Sequence, residues 1–302
     1  LETKQPNPMP PKKNNTTNSR RDFIKKGSIA ASSFFIVPRH VLGGSGFMSP
    51  SDKLNIAGIG IGGKGTSDLW NASNEGKENV VAMCDVDSGE YTKKSRARFP
   101  KAQFFKDYRE MLDKVKNIDA VTISTPDHMH AIQAISAMQR GIHVYVQKPL
   151  THNIRETRIL TEMARENRIV SQMGNQGASN SGMTKVQEWF NDGKIGTVDE
   201  VYVWTNRPVW SQGIPVPKPT GSAAPDNLDW DLWLGTAPAI PYSEAYHPFN
   251  WRGWWAYGTG ALGDMGCHII DVPFRTLGLH YPTAVECSVG QVFINMWSPE
   301  YI

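Results

Sequence analysis

Asp264 and His268 stand four residues apart in the segment Asp264-Met265-Gly266-Cys267-His268. On a helix, that spacing projects both side chains from one face. A carboxylate beside an imidazole suits proton transfer, because histidine titrates near neutral pH and the acid can orient the ring or a substrate. Lys148, held between Gln147 and Pro149 after an apolar run, can hydrogen-bond a reacting oxygen and pass protons. The loop Gly58-Ile59-Gly60-Ile61-Gly62-Gly63 has the spacing that brings backbone N–H groups to a pyrophosphate at a helix N-terminus. In this order the three pieces suit hydride movement to or from a nicotinamide, with Lys148, Asp264 and His268 as the catalytic candidates.

Asp85 falls 22 residues after Gly63, at the end of the next apolar run. A carboxylate there binds the adenosine ribose hydroxyls and repels a 2′-phosphate, which favours NAD. Lys93, Lys94 and Arg96 nearby keep NADP open. The expected cofactor-binding set is Gly58, Gly60, Gly62, Gly63, Asp85, Thr125, Pro126, His130 and Lys148. Helix capping and packing is the favoured reading of His128 and His130, in a segment that lines the nicotinamide pocket. No third ligand of suitable type accompanies either histidine, so no metal site is expected. Seven tryptophans crowd the stretch from Trp204 to Trp255. Trp230 and Trp233 are expected to pack, whereas Trp251, Trp254, Trp255 and Tyr257 are candidates for the C–H face of a sugar. Asn175, Gln176 and Arg252 are candidate hydroxyl-binding donors.

The elements that must position these groups alternate from Lys53 onward. Strands are predicted at 54–59, 79–84, 120–124, 143–146 and 169–173. Helices are predicted at about 64–72, 90–99, 130–140 and 154–167. That order predicts an α/β fold with a doubly wound parallel sheet, and ligands at its carboxyl edge. After Gly174 the pattern changes. A helix near 183–191, a strand at 198–205, a long Pro/Gly/Trp-rich stretch, a helix at about 261–277 and a strand at 284–293 are expected. The organisation is therefore an export signal and linker over 1–48, a dinucleotide-binding domain over 50–175 and an α/β substrate domain over 176–302. The last is expected to be incomplete, because a lone strand pair cannot make a sheet.

Ser19-Arg20-Arg21-Asp22-Phe23-Ile24-Lys25, followed by the apolar run 27–37, reads as a twin-arginine export signal. The translocase is then a partner, and the destination is the periplasm or cell envelope. No cleavage site stands out near 38–46, so removal or retention as an anchor stays open. This route carries folded proteins, so a tightly bound cofactor could be loaded before export. The first 48 residues hold eight Lys/Arg and two Asp/Glu, which leaves the body of this +3 chain at −3. Such a body has no footprint for nucleic acid. Three scattered cysteines make no disulfide framework.

The glycine loop, Thr125-Pro126-Asp127-His128, Lys148-Pro149 and Asp264-x-x-x-His268 together resemble the Gfo/Idh/MocA family of oxidoreductases. The likeness runs from Lys53 to the end, and the Trp-rich second half is similar to an exported branch from Bacteroidetes and Planctomycetes. It implies a Rossmann domain, a second α/β domain with a large open sheet, and a homo-oligomer. It also implies oxidation or reduction of a carbohydrate hydroxyl, or redox-neutral glycoside cleavage through a transient ketone. The family's catalytic lysine, aspartate and histidine fall on Lys148, Asp264 and His268. The family usually has Glu before Lys-Pro, where this chain has Gln147.

Overall fold

The computed structural model describes residues 49–212 and 221–288. The chain divides into Leu1–Lys53 and Leu54–Ile302. Of the first unit only the short 3-10 turn Pro50–Asp52 and its flanks are described, so the twin-arginine segment lies outside the described residues.

Leu54–Ile302 is built on a parallel sheet of six strands: β1 (Asn55–Ile59), β2 (Asn79–Cys84), β3 (Gln103–Phe105), β4 (Ala120–Ile123), β5 (His143–Gln147) and β6 (Ser171–Gly174). Their order is β3-β2-β1-β4-β5-β6. Strand β1 pairs with both β2 and β4, so the chain winds outward in two directions from their junction. That switch point opens a crevice at the carboxyl ends of β1 and β4. The central strands are apolar on both faces because helices cover both. These are α1 (Lys64–Ala72), α2 (Glu90–Arg98), α3 (Tyr108–Lys114), α4 (Asp127–Met138) and α5 (Ile154–Glu166). The core between them joins Ile59, Val121, Ile123, Met138, Val144, Val146 and Leu160. Helix α5 opens with a reciprocal Asn153–Glu156 capping box, which fixes where the chain turns after Lys148.

The second half departs from expectation. Helices α6 (Ser181–Asn191), α7 (Trp230–Leu234), α8 (Gly260–Ile269) and α9 (Asp271–Thr276) form, with a 3-10 turn at Asn250–Gly253. Residues 198–205 form no strand, and Trp204 is 80% exposed. A strand needs a partner, and no second strand faces this segment among the described residues. Residues 284–288 are likewise irregular, and 289–293 lie outside the described residues. The single helix expected over 261–277 breaks at Ile270, because Pro273 lacks the N–H that would continue the ladder. Thus no open sheet is seen among the described residues. An aromatic core of Trp233, Tyr242, Tyr246, Trp251, Trp254 and Tyr257 holds this region together. His128 anchors it to α4, with its ring nitrogens 3.1–3.3 Å from the carbonyls of Leu234, Trp233 and Tyr257.

Candidate active site at the carboxyl edge of the sheet

A cavity of about 950 Å³ runs along the switch point, from the glycine loop to α8. At one end, β1 turns into α1 through Gly60, whose φ of +73° suits glycine alone. A Cβ on Gly60 would lie 2.7 Å from the Ser124 carbonyl, so the two turns that flank the switch point touch backbone to backbone. Tyr91 lies across Gly62 and Gly63, where a Cβ would meet its ring or hydroxyl at 2.2 Å. Nothing in the sequence marks Tyr91 for this place. Gly58 sits inside β1, and its missing side chain makes room for Ile61 and Leu69 rather than for a ligand.

Asp85 ends β2. One carboxylate oxygen accepts from the N–H of Ile61 at 2.8 Å and Gly62 at 3.2 Å, and the other from Asp87 at 3.0 Å. Burial outweighs these bonds and pushes its carboxyl up to about 6. Of the nearby cations, Arg96 donates from Nη2 to the carbonyls of Ser88 and Gly89 and lies over the Phe104 ring. Lys93 pairs with Glu90 on the surface.

Ser124, Thr125, Pro126 and Asp127 line the middle of the cavity where β4 enters α4. The Thr125 hydroxyl donates to Gln133. Asp127 accepts from the N–H and hydroxyl of Thr259, tying α4 to the start of α8, and burial pushes its carboxyl up to about 6. His130 is 1% exposed and sits behind this turn. Its nitrogens lie 2.8 Å from the Pro149 carbonyl and 2.9 Å from that of Thr125. It therefore braces the two loops and presents no ring nitrogen to a cofactor. Burial pushes it down to about 4, and a neutral ring donates to only one of the two carbonyls.

At the far end, the Lys148 ammonium donates to Asp264 Oδ1 at 2.5 Å and to the Asp264 carbonyl at 3.0 Å. Arg252 Nε lies 3.6 Å from the same carboxylate oxygen. His268 Nδ1 faces the Gln176 carbonyl at 3.3 Å. Asp264 thus serves Lys148, not the His268 ring as the i, i+4 spacing suggested, because a cation stands within its reach. Burial, then the neighbouring Lys148, holds His268 below the usual imidazole range. Gln147 Nε2 donates to the buried Asp68 at 2.9 Å, and its Oε1 accepts from the Lys148 N–H at 3.2 Å.

The remaining candidates divide. Gln176 and Arg252 line the cavity, together with Arg207, Trp210, His247, Phe249 and Trp251. Asn175 turns its amide donor to the Cys267 carbonyl at 2.7 Å, so that donor is committed to α8. Trp254 and Tyr257 are buried in the aromatic core, where Tyr246 packs against both at 5.2 Å, and do not face a ligand. Their apolar surface is better placed there than beside water. Trp230 and Trp233 stack at 4.5 Å, as packing residues should. No group of three or more His, Cys, Asp or Glu able to hold a metal ion occurs among the described residues. No helix among them is long and apolar enough to cross a membrane.

Known proteins resemble this chain over between about half and most of its length. Levoglucosan dehydrogenase of Pseudarthrobacter phenanthrenivorans is 24% identical over 258 residues, covering 85% of this chain and 54% of the relative. A glycosyl hydrolase family 109 protein of Solibacter usitatus is 32% identical over 152 residues, covering 46% of this chain and 34% of the relative. The chain thus spans between a third and just over half of these relatives. The WlbA dehydrogenase from Bordetella pertussis, solved in complex with NADH and UDP-GlcNAcA, shares the fold. Its TM-score is 0.55 at 22% identity, covering 75% of this chain and 60% of that one. Residues 54–175 match the NAD-binding Rossmann fold of the Gfo/Idh/MocA oxidoreductases, and residues 197–291 match their C-terminal alpha/beta domain. The chain belongs to the Gfo/Idh/MocA oxidoreductase family.

Proposed function

We propose that this chain belongs to an NAD-dependent dehydrogenase that acts on a CH–OH group of a sugar, polyol or glycoside. The observation that carries this reading is that Lys148, Asp264 and His268 line the same cavity as Gly60, Gly62 and Asp85. The residues present fit NAD. Gly60 and Gly62 bring backbone without side chains to the cavity beside the N-terminus of α1, where a pyrophosphate would bind next to Tyr91, and Asp85 would accept from the ribose hydroxyls. Ser124, Thr125 and Pro126 would flank the nicotinamide. When bound, NAD supplies the hydride acceptor.

The chain's own groups do the rest. Lys148, aligned by Asp264, donates to the substrate oxygen and stabilises the negative charge that develops as its proton leaves. His268 accepts that proton at Nε2, since Nδ1 faces the Gln176 carbonyl and burial favours the neutral ring. Trp210, Phe249 and Trp251 wall the cavity.

A second reading keeps the site and changes the net reaction. Oxidation acidifies the neighbouring C–H, elimination then cleaves a glycosidic bond, and reduction restores the sugar. The likeness to glycosyl hydrolase family 109 proteins, over 46% of the chain for that of Solibacter usitatus, favours it. The presence of Lys148, Asp264 and His268 together in one cavity argues against a non-catalytic sugar- or nucleotide-binding protein. Twin-arginine export to the periplasm or cell envelope and homo-oligomer assembly belong to the same proposal, supported by Ser19–Lys25 and by the family.

The test uses purified full-length protein, sugars, polyols and glycosides added singly, and the absorbance of reduced nicotinamide. A signal that Lys148→Ala abolishes supports the dehydrogenase. Aglycone release on catalytic NAD supports the second reading. Failure to bind NAD sinks both.

A further inference from the structure

Asp68 is a buried carboxylate in α1 that touches neither end of the cavity, yet it joins the elements that carry both. One of its oxygens accepts from Ser124 Oγ at 2.9 Å and from Gln147 Nε2 at 2.9 Å. The other pairs with Lys64. Ser124 opens the Thr125–Pro126 turn on the nicotinamide side of the cavity, and Gln147 is the last residue of β5, immediately before Lys148. Gln147 is itself buried, and its two amide atoms are both used, one on Asp68 and one on the Lys148 N–H.

We infer that Asp68 is a positioning residue, whose carboxylate, acting through the Gln147 amide, sets the backbone of Lys148 and couples it to the Ser124–Pro126 turn. The inference rests on the dehydrogenase reading for its kinetic consequence, though not for the pairing itself. The physical basis is complementarity of donor and acceptor. An ionised carboxylate has acceptor sites only, so the residue at 147 must present an N–H toward it. A carboxylate at 147 would face a like charge at hydrogen-bond distance inside the protein, which disfavours the contact with Asp68. Lys64 is 40% exposed and turns outward easily, so the Asp68–Gln147 contact, not the ion pair, is the constraint on Lys148.

The experiment compares wild type, Gln147→Glu and the double variant Asp68→Asn/Gln147→Glu in full-length protein. In the double variant the amide introduced at position 68 donates to the carboxylate introduced at position 147, which restores one complementary pair with the polarity reversed. Three quantities are read: NAD affinity, kcat and KM separately, and the acylation rate of Lys148 by an N-hydroxysuccinimide ester, followed by mass spectrometry. Gln147→Glu is expected to lower kcat by about tenfold or more and raise Lys148 acylation at least about threefold, with NAD affinity within about threefold. The double variant is expected to recover most of both changes. Full kcat in Gln147→Glu, or a double variant no better than the single one, overturns the inference. If wild type oxidises no carbohydrate, the dehydrogenase reading falls, and the acylation rates alone decide the pairing. If Gln147→Glu does not fold and the double variant does, the pairing is upheld; failure of both to fold overturns the positioning role in favour of a purely structural one.

Discussion

Lys148 and Asp264, 116 residues apart in the chain, meet at 2.5 Å with their side chains only 13% and 14% exposed. The contact joins the end of β5 to α8 and forms the far wall of the cavity. Removing one partner leaves the other charge poorly solvated, which costs about 2–4 kcal/mol at a site this enclosed. Asp264→Ala should therefore lower the urea midpoint and abolish turnover together. Lys148→Met should lower kcat by about 10²–10⁴-fold while NAD still binds, because only the reacting end is altered. NAD titration beside steady-state kinetics checks both. A Lys148→Met enzyme with normal kcat would remove the lysine from the chemistry.

The pH profile should report His268. Its ring is held below 6.5 first by burial and then by Lys148. The base must be neutral, so activity falls as pH drops and the ring takes a proton. The ascending limb of kcat/KM should lie below pH 6.5 and disappear in His268→Asn. Removing the cationic neighbour in Lys148→Met should move the limb of its residual activity upward. An unshifted limb would assign the titration to another group.

NAD binding should weaken in acid through Asp85. Its folded carboxyl stands at about 6 against an ordinary 3.8, with burial as the main cause. A raised carboxyl stabilises the fold below about pH 4, and that contribution is lost as pH rises through 6. Ligation runs the other way, since the ribose hydroxyls need the anion. Affinity should fall by about tenfold between pH 7 and pH 5, with little pH dependence left in Asp85→Asn. Isothermal titration across that range decides it, and a flat wild-type profile would place the ribose elsewhere.

Most of the sheet was legible because its strands are short apolar runs between glycine turns and amphipathic helices. Strand β3 and helix α3 were not, since three and seven residues are too few to display a period; the Asp107 cap on the Arg109 N–H was the available signal. That Lys148, Asp264 and His268 would face one cavity was legible residue by residue, from strand end and helix spacing. Their pairing was not, because it depends on α8 being laid across the end of β5 by Thr259 on Asp127. Tyr91 and Asp68 carry no local mark at all. Tyr91 acquires its place only when α2 meets the glycine loop, and Asp68 only when α1 packs against the ends of β4 and β5. The aromatic residues misled for a simple reason: Trp254 and Tyr257 suit a sugar face and a core equally well, and the core claimed them.

Gly60 and Gly141 offer a comparison in which backbone strain is held nearly constant. Their φ angles are +73° and +75°, so alanine at either position meets the same left-handed penalty, about 1–2 kcal/mol. At Gly141, which follows α4, a Cβ meets nothing within 4 Å. At Gly60 it would stand 2.7 Å from the Ser124 carbonyl and 2.9 Å from the Thr125 methyl group, and the Ser124 backbone cannot yield without moving the turn. Gly141→Ala should thus cost about 1 kcal/mol and leave NAD affinity unchanged. Gly60→Ala should cost about 2–4 kcal/mol and weaken NAD by at least about tenfold, because the clash separates the loop proposed to take the pyrophosphate from the turn proposed to flank the nicotinamide. Urea midpoints and NAD titrations on the two variants make the comparison. Equal losses of stability, with NAD affinity intact in Gly60→Ala, would mean that the close approach of the two turns does not shape the cofactor site.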